Sequence, residues 1–141
     1  MSKILDWLYL GDVDDAHSHS WLHKHGITHV LNCAEELPNF HKECFVYMHC
    51  KLDDDPEQSL KNCLTRTFNF IEKARKTKNG RVLVHCYAGI SRSASIVIHY
   101  LMRYYGMSFE QAKQFVKSKR SKIDPNKGFK HQLRQIEMTQ K

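Results

Sequence analysis

The chain has 141 residues, 41% of them hydrophobic and 26% charged, with a formal net charge of +7. That length and mixture suit one compact domain, residues 1–141, which can bury a core without staples, and they exclude disordered and collagen-like classes. Its longest purely aliphatic runs are three residues, such as Val82-Leu83-Val84 and Ile96-Val97-Ile98, against the roughly 20 that a membrane span needs, so no span is expected.

The opening MSKILDWLYLGDVDD is interrupted by Asp6 and Gly11 and lacks the pattern of a secretory signal. Its ILDWLYLGD stretch reads as two short strands around a turn. A helix is expected over Ala16 to His25, followed by strands at Thr28 to Asn32 and Phe45 to His49. From Glu57 to about Lys76, Leu60, Leu64, Phe68, Ile71 and Ala74 recur at steps of three and four, the spacing of one helical face. Asn79-Gly80 breaks that helix, and Arg81 to His85 is a short apolar run typical of a strand covered on both faces.

After a loop at residues 86–91, Ser93 to Tyr105 is apolar nearly all round, which marks a buried helix. Gly106 is suited to cap it. Ser108 with Gln111 forms a capping box for a further helix whose core face is Ala112, Phe115 and Val116. Asp124-Pro125 closes that segment, and Phe129, Leu133 and Ile136 mark a last helix. Strands alternating with helices predict an α/β fold with a mainly parallel sheet.

The charge excess is local. Residues 111–141 carry nine Lys or Arg against Asp124 and Glu137, whereas the first 110 residues balance at thirteen of each sign. Two amphipathic helices with lysine-rich outer faces are the simpler account, and attraction of phosphorylated or acidic partners is the other. The five cysteines are an odd number at scattered spacings with no CxxC, so reduced thiols in the cytoplasm, with the nucleus as a second location, are expected. Ser2 replaces the glycine that myristoylation needs and the MTQK end has no prenylation cysteine.

The chemistry gathers in Val84-His85-Cys86-Tyr87-Ala88-Gly89-Ile90-Ser91-Arg92-Ser93, between the buried strand and the buried helix. Ligand sites in open α/β sheets form at the carboxyl ends of strands. A loop there that enters a helix offers backbone N–H groups and the positive end of the helix dipole to an anion. Gly89 allows the backbone to fold tightly, and the planar fork of Arg92 grips two phosphate oxygens. A thiol at the start of such a cradle feels the same field, which favours its anionic form and makes Cys86 a nucleophile for phosphorus. Free cysteine is by itself more often an inert packing residue; the spacing to Arg92 with Gly89 inside is what outweighs that reading.

The run HCYAGISRS resembles the signature loop of the protein tyrosine phosphatase superfamily, in particular its small, atypical-type dual-specificity branch. The ILDWLYLGD start, the Asp-Asp-Asp-Pro turn, the YLM of the following helix and Pro125-Asn126 fall in the order of that family. The resemblance implies a five-stranded, largely parallel sheet flanked by helices. It also implies cofactor-free and metal-free hydrolysis of phosphotyrosine and phosphoserine or phosphothreonine through a phosphocysteine on Cys86.

Expelling the leaving oxygen calls for an acid, and Asp53, Asp54 and Asp55 before Pro56 are the candidates. Matching to the family favours Asp54, although Lys51 stands where relatives often have proline. By the same resemblance residues Tyr87, Ala88, Gly89, Ile90, Ser91 and Arg92 surround the phosphate. Ser93 donates to the Cys86 sulfur, and His85 and Asn126 support the loop.

His17, His19, His23 and His25 raise the possibility of a metal, with His19 and His23 on one helical face, but no third ligand at suitable spacing accompanies them. Cys33, Cys44, Cys50 and Cys63 read as packing residues, any of which is a candidate disulfide partner for an oxidised Cys86. Three other functions compete: a phosphoinositide or RNA 5′-phosphatase, a non-catalytic phosphoprotein-binding module, and a sulfur-transfer domain. The loop has no lysine for a multiply charged head group, and its cysteine, arginine and acidic turn are all intact. Phosphorylated proteins are therefore the expected partners, protein kinases among the candidates, and no nucleic acid is expected.

Overall fold

In the computed structural model, which describes residues 1–139, the first segment folds back on itself as β1 (Ser2–Leu5) and β2 (Leu8–Gly11), paired antiparallel. Asp12 then ends the strand and begins a helix. Its carboxylate accepts from the Asp15 N–H at 3.0 Å, and the Asp15 carboxylate accepts from the Asp12 N–H at 3.0 Å, a reciprocal cap. The helix expected over Ala16 to His25 is in fact two, α1 (Val13–His17) and α2 (His19–Lys24). Ser18 separates them: its backbone is extended, with ψ of 96°, and its hydroxyl accepts from the Trp21 N–H.

Two parallel strands follow, β3 (His29–Ala34) and β4 (Val46–Leu52), each extending past its expected end because the pairing continues to Ala34 opposite Leu52. Helix α3 (Leu64–Lys76) starts later than the apolar spacing suggested. Leu60 is buried as expected, but its N–H donates sideways to the Gln132 side chain at 2.7 Å instead of along a helix axis. Strand β5 (Val82–His85), with all four residues buried, leads through the loop into α4 (Arg92–Tyr105), which ends on Gly106 at φ +69°. Ser108 and Gln111 make the expected capping box for α5 (Phe109–Lys119), and α6 (Lys127–Thr139) closes the chain with Phe129 and Leu133 buried. Gln140 and Lys141, the end of the MTQK segment read for lipidation, lie outside the described residues.

The sheet order is β1-β2-β5-β3-β4, with β2, β5, β3 and β4 parallel. This is the mainly parallel sheet that the alternation of strands and helices predicts, with the five strands that the family resemblance implies. Helix α4 is its central support, burying Ile96, Val97, Ile98, Tyr100, Leu101 and Met102, each worth roughly 1.5–3 kcal/mol of transfer free energy. No described helix is long and apolar enough to cross a membrane. Gly128, at the start of α6, sits so close to Pro56 that an added Cβ would lie 1.9 Å from the Pro56 carbonyl oxygen, so α6 is pressed against the acidic turn.

Three histidines are enclosed in this core, His29, His85 and His99. Burial lowers the pKa of each below the usual 6.5, to about 4 for His85 and His99. The unfolded chain therefore takes up protons near pH 6.5 that the folded chain refuses until near pH 4 for those two, so stability present at neutral pH is lost as pH falls through that window. Urea unfolding is expected to show a falling free energy from pH 7 to pH 5, each of these two rings contributing up to about 3 kcal/mol by pH 4. His99→Gln should flatten part of that slope, and a wild-type profile level across the range would contradict the assignment.

Candidate active site

Because β2, β5, β3 and β4 run in one direction, their carboxyl ends and the residues that follow them lie along one edge of the sheet. After β5 comes Cys86; after β2, Asp12 and Val13; after β3, Glu35 and Glu36; after β4, the acidic turn at residues 53–55. Sequence-distant segments are thus delivered to a single place, and a cavity of about 300 Å³ forms there, lined by Glu36, Asp54 and residues of the 86–92 loop.

Every carbonyl of that loop is engaged. Val13 N–H donates to the Tyr87 oxygen at 2.9 Å, and Asp124 N–H to the Ile90 oxygen at 2.9 Å. The Arg120 guanidinium donates to the Gly89 oxygen at 2.9 Å and the Ala88 oxygen at 3.4 Å. Ser95 uses both its N–H and its hydroxyl on the Ser91 oxygen, and His85 Nδ1 lies 3.3 Å from the Cys86 oxygen. The N–H groups of residues 87–91, by contrast, have no protein acceptor among the described residues. A turn with spoken-for carbonyls and unused amides is an anion cradle. Gly89 makes the curvature feasible: its φ is +68°, and a Cβ there would lie 2.6 Å from the Gly11 carbonyl oxygen and 2.5 Å from the Arg120 guanidinium.

Cys86 is buried at the mouth of α4, its Sγ 3.1 Å from the Ser93 hydroxyl. Arg92, also buried, donates from Nη1 and Nη2 to the two oxygens of Glu36 at 2.6 and 2.7 Å, and from Nη1 to the Leu52 carbonyl at 3.0 Å. The hydrogen bonds from Arg92 hold the Glu36 carboxyl below the usual carboxylate range, and Glu36 in turn raises the guanidinium pKa. Held on its Nη1–Nη2 side in this way, the guanidinium keeps its Nε–H and one Nη2–H for a ligand without a search through rotamers.

Of the three acidic candidates, Asp54 lines the cavity. Asp55 turns away to accept the Glu57 N–H at 2.8 Å, and the Asp53 N–H is tied to the Gln58 side chain at 3.0 Å. Asn126 holds Asp54 through its side-chain amide at 3.0 Å, whereas its contact with the loop is made by its backbone N–H, on the Ser91 hydroxyl at 2.9 Å. Its support thus runs partly through the carboxylate. His85 lies beneath the loop as a neutral ring, with Nε2 enclosed and without a partner among the described residues.

Two residues of the site escaped the sequence reading. Glu36 had no mark beyond its place after a strand, and its partner is 56 positions away. Arg120 was counted among the basic outer faces, yet it is buried beneath the cradle. The other singled-out groups lie apart. The His19 and His23 rings stack at 6.3 Å, and no group of three or more metal-ligating side chains converges among the described residues. Cys33, Cys50 and Cys63 are buried packing residues, but Cys44 is exposed; all five cysteines are free. Burial pushes the Cys33 thiol up.

The sequence profile of the dual specificity phosphatase catalytic domain matches residues 8–139. The mouse dual specificity protein phosphatase 19 is 44% identical over 131 residues, covering 93% of this chain and 59% of that protein. Human DUSP28 superposes with a TM-score of 0.93 at 31% identity, over 99% of this chain and 97% of that one. The human tyrosine phosphatase-like serine/threonine/tyrosine-interacting protein superposes with a TM-score of 0.90 at 36% identity, over 99% and 97%. The chain spans 17%, 12% and 59% of the length of the first three curated relatives it matches.

The role of Arg120 as the outward anchor of the cradle is open to test. Arg120→Met is expected to weaken inhibition by orthovanadate about tenfold or more, since hydrogen bonds from a charged group contribute about 1.5–3 kcal/mol each. Lys119→Met, at an exposed neighbour, should leave it unchanged. Equal vanadate affinities for Arg120→Met and wild type would remove Arg120 from the site.

Proposed function

The chain belongs to the dual specificity phosphatase family, and on that premise we propose that it hydrolyses phosphotyrosine and phosphoserine or phosphothreonine in proteins through a phosphocysteine on Cys86. The observation that carries this reading is the meeting of Cys86, Arg92 and Asp54 around one cavity, with Ser93 3.1 Å from the sulfur.

Phosphate enters the cradle, its oxygens taking the unused amides of residues 87–91 and the Nε–H and remaining Nη2–H of Arg92, whose other donors are held by Glu36 and Leu52. The Cys86 thiolate attacks phosphorus; the S–P bond forms as the ester P–O bond breaks, and Asp54 passes its proton to the departing oxygen. Water then attacks phosphorus, giving its proton to the Asp54 carboxylate. The S–P bond breaks, and the Ser93 hydroxyl stabilises the returning thiolate.

A binding module would need the cradle alone. Asp54, held at the cavity by Asn126, favours hydrolysis, because an acid at the leaving group adds nothing to anion binding. Among the described residues Arg92 is the one cation in the cavity lining, which suits a single phosphate monoester better than a multiply phosphorylated head group. Five free thiols suit a reducing compartment such as the cytoplasm or nucleus.

Two variants test the assignment together. Cys86→Ser is expected to stop turnover while phosphopeptide binding persists. Asp54→Asn should slow phosphoserine peptides by about 10²- to 10⁴-fold, the usual contribution of general acid catalysis, and slow p-nitrophenyl phosphate least because its leaving group needs little protonation. Wild-type rates for Asp54→Asn on every substrate would move the acid elsewhere, and turnover by Cys86→Ser would exclude the covalent route.

A further inference from the structure

A second cavity, of about 690 Å³, lies between the segment that follows the acidic turn, the start of α3, the middle of α4 and the face of α6. Leu64 and Ile136 give it an apolar lining, and His99 of α4 borders it. That ring is buried, with Nδ1 meeting no protein partner among the described residues, a rare and costly state for an enclosed polar atom. Burial lowers its pKa to about 4, so the unmet nitrogen belongs to a neutral imidazole at physiological pH.

The charged side chains of the lining are Lys61 and Arg103 against the single carboxylate of Glu57. Neither cation has an ion-pair partner among the described residues. Arg103 lies over the Phe68 ring at 4.2 Å, a contact that engages its face and not its N–H groups. An apolar body and one anionic group for the two cations describe the complementary ligand.

The cavity shares a wall with the acid-bearing loop. Gln132, itself in the lining, accepts the Leu60 N–H at 2.7 Å and donates to the Gln58 carbonyl at 2.8 Å. The Gln58 side chain accepts the Asp53 N–H at 3.0 Å, next to Asp54. A ligand that binds only the formed cavity therefore favours the loop arrangement that accompanies it.

We propose that this cavity is an effector site for a small amphipathic organic anion, carboxylate or sulfonate, and that its occupation favours the arrangement with Asp54 in the phosphate cavity. The effector half rests on the proposed function; the binding half does not.

The test is a titration of the ¹⁵N-labelled chain with 1-naphthylacetate while orthovanadate saturates the phosphate cavity. Saturable amide shifts are expected around Leu64, His99 and Ile136, with affinity falling about tenfold or more, the loss of about 1.4 kcal/mol, in the double variant Lys61→Glu/Arg103→Glu. Ile136→Trp, which fills the cavity, should abolish them; if it does not fold, the rim variant decides alone. No saturable shift, displacement by vanadate, or unchanged affinity in the rim variant overturns the site. In turnover of a phosphoserine peptide, the probe should raise kcat by about twofold or more in wild type and not in Asp54→Asn. Binding without any change in kcat overturns the coupling, and binding to a chain with no phosphatase activity sinks the proposed function while leaving the site standing.

Discussion

A loop can hold an anion only if its carbonyl oxygens are kept out of the way, because each one turned inward would repel the charge that the amides attract. Here the oxygens from Cys86 to Ser91 are drawn off by five residues: His85 and Ser95 next to the loop, and Val13, Arg120 and Asp124 from distant parts of the chain. The cradle is therefore a property of the whole fold and not of the signature run. Only when β1, β2, α5 and the segment before α6 are in place do the amides at residues 87–91 have nothing left to meet except a ligand. Preorganisation of this kind moves the cost of orienting the dipoles from the moment of reaction to the moment of folding.

The parallel sheet explains how so many contributors reach one point. Four strands pointing the same way, each followed by a turn, leave Asp12, Glu36, Asp54 and Cys86 along one edge. The order β2-β5-β3-β4 puts Cys86 between the others, with Glu36 bracing Arg92 and Asn126 holding Asp54 at the cavity. The unused His85 nitrogen beneath and the polar partners behind the loop also show why the site carries a stability burden, since enclosing neutral imidazole makes the fold acid-sensitive.

What the sequence disclosed and what it hid divide along physical lines. Strand β5, the loop and α4 are adjacent in the chain, so their apolar run, glycine and arginine spacing report the anion site directly. The capping box at Ser108 and the left-handed Gly106 were legible for the same reason. Where the expected start of α3 failed, a side chain had found a distant partner. Leu60 keeps the spacing of a helical face, but its N–H belongs to Gln132, so α3 begins only at Leu64. Ser18 could sit inside a helix or cap one, and the Asp12–Asp15 pairing starts α1 early enough that it caps. Glu36 and Arg120 act through contacts 56 and 31 positions away, which no local pattern records. The residues alone left three neighbouring carboxylates open, and in the fold it is Asp54, the one that the resemblance favours, that lines the cavity.

The measurement that bears most directly on this account is mass spectrometry of the chain quenched with acid during turnover of p-nitrophenyl phosphate. A phosphoryl group on the peptide containing Cys86, absent when orthovanadate is added first, is the predicted result. Steady turnover with no covalent phosphate on Cys86, or with phosphate on another side chain, would contradict it.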